Sequence, residues 1–111
     1  MNQINQKKAT RNRINYTKSV LKENALIIKE KLNIEIPKDV MNMTNGQFYG
    51  FIKKTFGKIS NVDLVDEEIK PIVLDINFCL NYVFARYWSE NPPDYNTLKQ
   101  IMQEENDEMG S

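Results

Sequence analysis

A row of basic side chains near the amino terminus has the spacing of one helix face. Arg11, Lys18, Lys22 and Lys29 fall within about 40° of one another on a helical wheel. From Arg11 to Lys29 the row would extend about 27 Å along the helix axis. Lysine and arginine side chains that follow a nucleic-acid backbone give sequence-independent, salt-sensitive affinity. The row therefore predicts a surface that contacts phosphates.

The predicted nucleic-acid-binding set is larger than this row, because more basic side chains lie in the same half of the chain. Residues 1–58 carry 12 basic and four acidic side chains, whereas residues 59–111 carry three basic and 11 acidic ones. The net charge of zero thus hides two halves of opposite sign. The other interpretation is a solvated face that pairs with the acidic half. The complete set is Lys7, Lys8, Arg11, Arg13, Lys18, Lys22, Lys29, Lys53, Lys54 and Lys58.

A cluster of acidic side chains in the second half is the other candidate site. At the start of a helix such carboxylates favour the positive end of the helix dipole, and the spacing of a calcium loop is absent. The cluster instead offers a surface for a partner protein. The alternative function is therefore a protein–protein interaction module: an adaptor or inhibitor from a mobile element, or a homo-oligomeric structural subunit. The predicted partner-binding residues are Asp63, Asp66, Glu67 and Glu68.

Enzymatic chemistry has few candidate residues in this sequence. Histidine is absent and Cys79 is the single cysteine, which excludes Ser-His and Cys-His nucleophilic catalysis and the common zinc sites. Cys79 is interpreted as a small buried hydrophobic residue. Asp75 lies on an apolar helix and must find a partner, for which Lys70, Arg86 or an exposed position would suffice. We expect no catalysis, no metal, no cofactor and no small-molecule substrate.

The hydrophobic periodicity that positions these residues predicts an all-α fold. We expect a single-domain bundle of four main helices, at about 10–32, 45–59, 71–90 and 92–106, with a short helix near 62–69. Thr44 and Gln47 fit a capping box at the start of the second helix. Residues 33–37 alternate polar and apolar before a proline, which predicts a linker or one edge strand. Apolar residues nearly surround helix 71–90, which predicts the central core helix.

Aromatic side chains allow two interpretations. Tyr16 and Tyr49 lie near basic positions, where rings can stack on bases, but rings at such positions more often cover the edge of a core. Tyr82, Tyr87 and Trp88 lie on the central helix and are interpreted as packing residues.

Outside residues 10–106 we expect a flexible basic arm at 1–9 and a disordered acidic tail at 107–111. No apolar run is long enough for a membrane span and the start is polar, so we expect a cytoplasmic protein. Opposite-signed halves can attract between copies, which predicts a homo-oligomer. The 14 Asn, 12 Ile and 12 Lys have AT-rich codons and indicate an AT-rich bacterium, plasmid or phage. The sequence predicts a small non-enzymatic nucleic-acid-binding accessory or regulatory protein.

Overall fold

The regular secondary structure of the described residues is entirely helical, which confirms the predicted fold class. The computed structural model describes residues 3–59, 65–92, 94–96 and 98–99, with the backbone alone for residues 3–6. A 3-10 turn occupies Val40–Asn42 and a π-helical segment occupies Cys79–Val83. Among the described residues we number five α-helices: α1 (Gln3–Glu23), α2 (Ala25–Leu32), α3 (Asn45–Phe56), α4 (Lys70–Phe78) and α5 (Phe84–Glu90).

The first predicted helix is two helices in the structure. α1 begins at Gln3, so residues 3–9, predicted as a flexible arm, form its first turns. Asn24 separates α1 from α2, and its side-chain amide donates to the Val20 carbonyl at 2.8 Å. Asparagine favours such breaks because its side chain competes with the backbone for helix carbonyls. Asn33 caps the end of α2 with a left-handed backbone (φ 56°), and its backbone N–H donates to the Lys29 carbonyl.

α3 begins with the predicted capping box. The Gln47 backbone N–H donates to the Thr44 hydroxyl oxygen at 3.1 Å, and the Thr44 N–H donates to the Gln47 side-chain oxygen at 3.0 Å. α3 ends at Phe56, three residues before the predicted boundary. Residues 33–37 contain no strand and connect α2 to the 3-10 turn as irregular chain.

The predicted central helix is a continuous rod from Lys70 to Glu90, with Pro71 in its first turn. The sequence did not predict its π segment, where the Phe84 N–H donates to the Cys79 carbonyl five residues before it. The prediction that apolar residues are buried all round the rod was wrong on one side. Ile72, Ile76 and Val83 are buried, whereas Leu74, Phe78 and Tyr82 are exposed.

The core is formed where α1 and α3 pack against this rod. The start of α1 lies beside the end of α5, because the Thr10 hydroxyl donates to Glu90 at 3.4 Å. Glu23, the last residue of α1, lies beside Pro71 in the first turn of the rod, so α1 runs antiparallel to the rod. Fully buried side chains from the three elements form one continuous cluster that includes Ile14, Leu21, Phe48, Ile52, Phe56, Val73, Ile76 and Phe84.

Two predicted helices lie partly outside the described residues. Of the short helix near 62–69, residues 65–69 are described and form a bend and a turn that lead into α4. Of helix 92–106, residues 95–96 and 98–99 are helical. The predicted acidic tail at 107–111 lies outside the described residues.

Removing the capping box should lower the stability of the whole domain. We expect Thr44→Ala to reduce the free energy of unfolding by about 1 kcal/mol, because one helix N–H loses its acceptor. Urea denaturation followed by circular dichroism measures this loss. Thr44→Ser keeps the hydroxyl and should retain the stability. Equal stability of both variants would contradict the role of the cap.

Candidate nucleic-acid interface

The solvent-facing side of α1 is basic and carries no carboxylate before its last residue. Among residues 3–22 the sequence has six basic residues and no acidic one. Asn12 and Asn15 are exposed on the same helix and add amide donors. Lys8, Arg11 and Lys22 are exposed and Lys7 is half-buried. We call these four residues, Lys7, Lys8, Arg11 and Lys22, the basic face of α1.

Lys18 is buried, so it cannot belong to the predicted phosphate-contacting row. The residue is 3% exposed, and its Nζ donates to the Met43 carbonyl at 2.7 Å and to Asn45 Oδ1 at 3.4 Å. The ammonium also lies 5.7 Å from the centre of the Phe48 ring. Neither acceptor carries a charge, and burial lowers the pKa of Lys18 from its ordinary value of 10.5. Lys18 instead joins α1 to the turn before α3.

Arg13 is also drawn into the fold. Its guanidinium forms an ion pair with Asp75 on α4 and donates to the Thr17 hydroxyl at 3.3 Å. The guanidinium carbon lies 4.8 Å from the Tyr16 ring centre and 5.3 Å from that of Phe78. Asp75 thus pairs with Arg13, whereas the sequence suggested Lys70 or Arg86. The pairing joins residues 62 positions apart.

The other predicted basic residues are spread over three elements. Lys29 lies on α2 and pairs with Glu35 at 3.1 Å. Lys53 and Lys54 are exposed in the last turn of α3, and Lys58 is exposed in the turn that follows. The Lys53 ammonium lies 5.7 Å from the Tyr49 ring centre. Of the predicted set, Lys7, Lys8, Arg11 and Lys22 therefore share one helix and one face of it.

The acidic cluster has local contacts in the structure. Asp63 lies outside the described residues. Asp66 accepts from the Glu68 backbone N–H at 2.8 Å and pairs with Lys31 at 3.4 Å, and these contacts lower the pKa of Asp66. Glu67 pairs with Lys70 at 3.1 Å, and Glu68 is exposed. Asp66 and Glu67 thus stabilise the turn that begins α4.

The aromatic residues divide between core and surface. Tyr49 packs into a cluster with Phe84 and Trp88, with ring centres 4.9 and 5.6 Å away. This contact supports the interpretation of Tyr49 as a residue at the edge of the core. Tyr82 was interpreted as a packing residue, but it is 67% exposed. Leu74, Phe78 and Tyr82 recur at four-residue spacing on the side opposite Ile72 and Ile76, but such an apolar row does not by itself indicate exposure.

Cys79 is buried, as predicted, and burial raises the pKa of its thiol to about 11. Within the described ranges no group of three or more acidic or cysteine residues could hold a metal ion. The same residues form no helix that is long and apolar enough to cross a membrane.

Comparisons with known proteins assign no family to this fold and its basic face. No protein-family model, no curated protein and no solved structure matches the chain.

The buried ammonium of Lys18 should give the domain a pH-dependent stability. The pKa of Lys18 is lower in the folded than in the unfolded chain. At pH values between these two pKa values the unfolded chain binds more protons, so the free energy of unfolding rises with pH. We expect wild-type protein to gain stability relative to Lys18→Met as the pH rises towards the ordinary lysine pKa of 10.5. Urea denaturation of both proteins at each pH gives the difference between their free energies of unfolding. The contributions of the other titrating groups cancel in this difference. A wild-type advantage that shrinks with pH would contradict the desolvated ammonium.

Proposed function

We propose that this protein is a small non-enzymatic nucleic-acid-binding protein that contacts phosphates through the basic face of α1. The observation that carries the proposal is the exposed row of cations on a helix with no acidic residue before Glu23. Lys7 and Lys22 are about 22 Å apart along the axis, a span of about six base pairs at 3.4 Å each. The width of an α-helix also fits the major groove of duplex DNA.

The contacts of other predicted basic residues support the restriction of the site to the basic face of α1. Lys18 and Arg13 hold α1 in place and Lys29 pairs with Glu35, so their charges already interact within the protein. The four residues of the basic face are on one helix, whose geometry is rigid. Phosphate contacts of this kind fix position and give affinity without reading bases. Asn12 and Asn15, which point to solvent beside the basic face, are the residues whose amides would reach base edges.

A salt titration of nucleic-acid binding tests the proposal. Four phosphate contacts predict a slope of log affinity on log salt near about −3.6, and an affinity loss of about two orders of magnitude between about 50 and 200 mM salt. Replacing Lys7, Lys8, Arg11 and Lys22 by glutamine should remove most of this slope while the helix remains intact. Fluorescence anisotropy with labelled duplex DNA, duplex RNA and single-stranded DNA provides the measurement.

The matched control removes the same number of charges elsewhere. It replaces Lys29, Lys31, Lys38 and Lys99 by glutamine, and two of these lysines form exposed ion pairs of small energy. We expect the control to keep the salt slope of the wild type. An unchanged slope in the α1 variant would contradict the proposal. Absence of binding to all three probes at low salt would also contradict it, and would favour the alternative of a protein-binding module.

A further inference from the structure

A surface separate from the basic face exposes a row of large apolar side chains on the central rod. Leu74 is 49% exposed, Phe78 46% and Tyr82 67%. The rings of Phe78 and Tyr82 contact each other, with centres 5.3 Å apart. The three residues extend about 12 Å along the rod and form a ridge of four-residue spacing. We call Leu74, Phe78 and Tyr82 the apolar row.

A groove between α1 and α4 lies directly beside the apolar row. It has a volume of about 740 Å³, and Leu74 and Phe78 form one wall while Tyr16 and Val20 form the other. Tyr16 is 55% exposed, and the Arg13 guanidinium bridges the rings of Tyr16 and Phe78 across the floor. The Arg13–Asp75 pair leaves this floor without net charge. The same surface thus contains an apolar ridge and a groove beside it.

We propose that a second copy of this chain covers the apolar row in a two-fold symmetric dimer. A two-fold axis brings the same patch of both copies together, so the patch must be complementary to itself. Here the apolar row of each copy can enter the α1–α4 groove of the other. Packed helices commonly fit ridges of side chains into grooves in this way. An axis near Phe78 places Leu74 of each copy opposite Tyr82 of the other.

The charges around the apolar row favour a copy of the same chain in this orientation. Arg86 is exposed about one turn beyond Tyr82, whereas Glu90 at the same end is half-buried and accepts from Thr10, so the exposed charge at this end of the rod is basic. The opposite end is acidic, because Glu23 lines the groove beside Pro71, and Glu67 and Glu68 outnumber Lys70 there. The antiparallel arrangement brings the basic end of each copy to the acidic end of the other. A net charge of zero also leaves no long-range repulsion between copies.

The exposed apolar area suits the centre of such an interface. At about 200 Å² for each aromatic side chain, the exposed parts of Tyr16, Phe78 and Tyr82 amount to roughly 300 Å². A stable dimer buries about 800 Å² from each partner, with an apolar centre and a polar rim. The apolar row and groove supply the centre, and the charged ends supply the rim. This dimer does not depend on nucleic-acid binding.

Sedimentation equilibrium from about 1 to about 300 µM tests the dimer and its register. We expect a dimer that persists from about 0.1 to about 1 M salt, because salt does not weaken apolar contacts. Leu74→Glu combined with Tyr82→Glu places like charges opposite each other and should raise the dissociation constant by on the order of 30-fold or more. Leu74→Glu combined with Tyr82→Lys places opposite charges together and should restore most of the association.

Leu26→Glu is the matched control, because Leu26 is 77% exposed on α2 and does not line the groove. It should dimerise like the wild type, and circular dichroism should show that all variants are folded. A wild-type monomer at every concentration would overturn the proposal and would favour a different partner for the apolar row. A dimer that dissociates in high salt, or that tolerates both glutamates, would overturn it too. Equal dissociation of both double variants would overturn the two-fold register.

Discussion

Two cationic side chains hold α1 against the fold from opposite flanks, and the surfaces of the protein depend on this constraint. Lys18 donates to the Met43 carbonyl before α3, and Arg13 pairs with Asp75 on α4. Together with the buried apolar side chains between them, these contacts fix the rotation of α1 about its own axis. That rotation turns Arg11 and Lys22 to solvent and places Tyr16 beside the α1–α4 groove. A buried ammonium is costly unless its hydrogen bonds are satisfied, so a rotation that kept Lys18 buried but separated it from Met43 and Asn45 would be unfavourable.

The opposite charges of the two halves of the sequence have several uses in one fold. Part of the neutralisation is internal, since Arg13 pairs with Asp75 and Lys31 pairs with Asp66 across the two halves. Other charges pair within their own half, as Lys29 does with Glu35. The charged side chains that remain exposed on α1 before Glu23 are all basic. The cations that pair with carboxylates and those that form the basic face of α1 are therefore different residues.

The sequence predicted the features that depend on local pattern. The all-α fold, the capping box at Thr44 and the rod near 71–90 follow from periodicity and from hydrogen bonds between near neighbours. The features that it missed depend on tertiary contacts or on small energy differences. Lys18 lies only about 40° from Ile14 on the helical wheel, so its position between the apolar and basic sides left its burial to the packing of α3. No local signal could pair Arg13 with Asp75, and the exposure of Tyr82 required knowing which side of the rod has no neighbour.

The π segment at Cys79–Val83 lets the rod hold one residue more than an α-helix that turns through the same angle. One π turn accommodates the extra residue without interrupting the helix. A related sequence shorter by one residue here could close this turn to α-helical geometry, and α5 would keep its rotation relative to α4. Phe84 and Trp88 would then stay in the aromatic cluster around Tyr49. A deletion at this point would be absorbed as a change of helix type, whereas the same deletion within α4 or α5 would turn the side chains that follow it by about 100°.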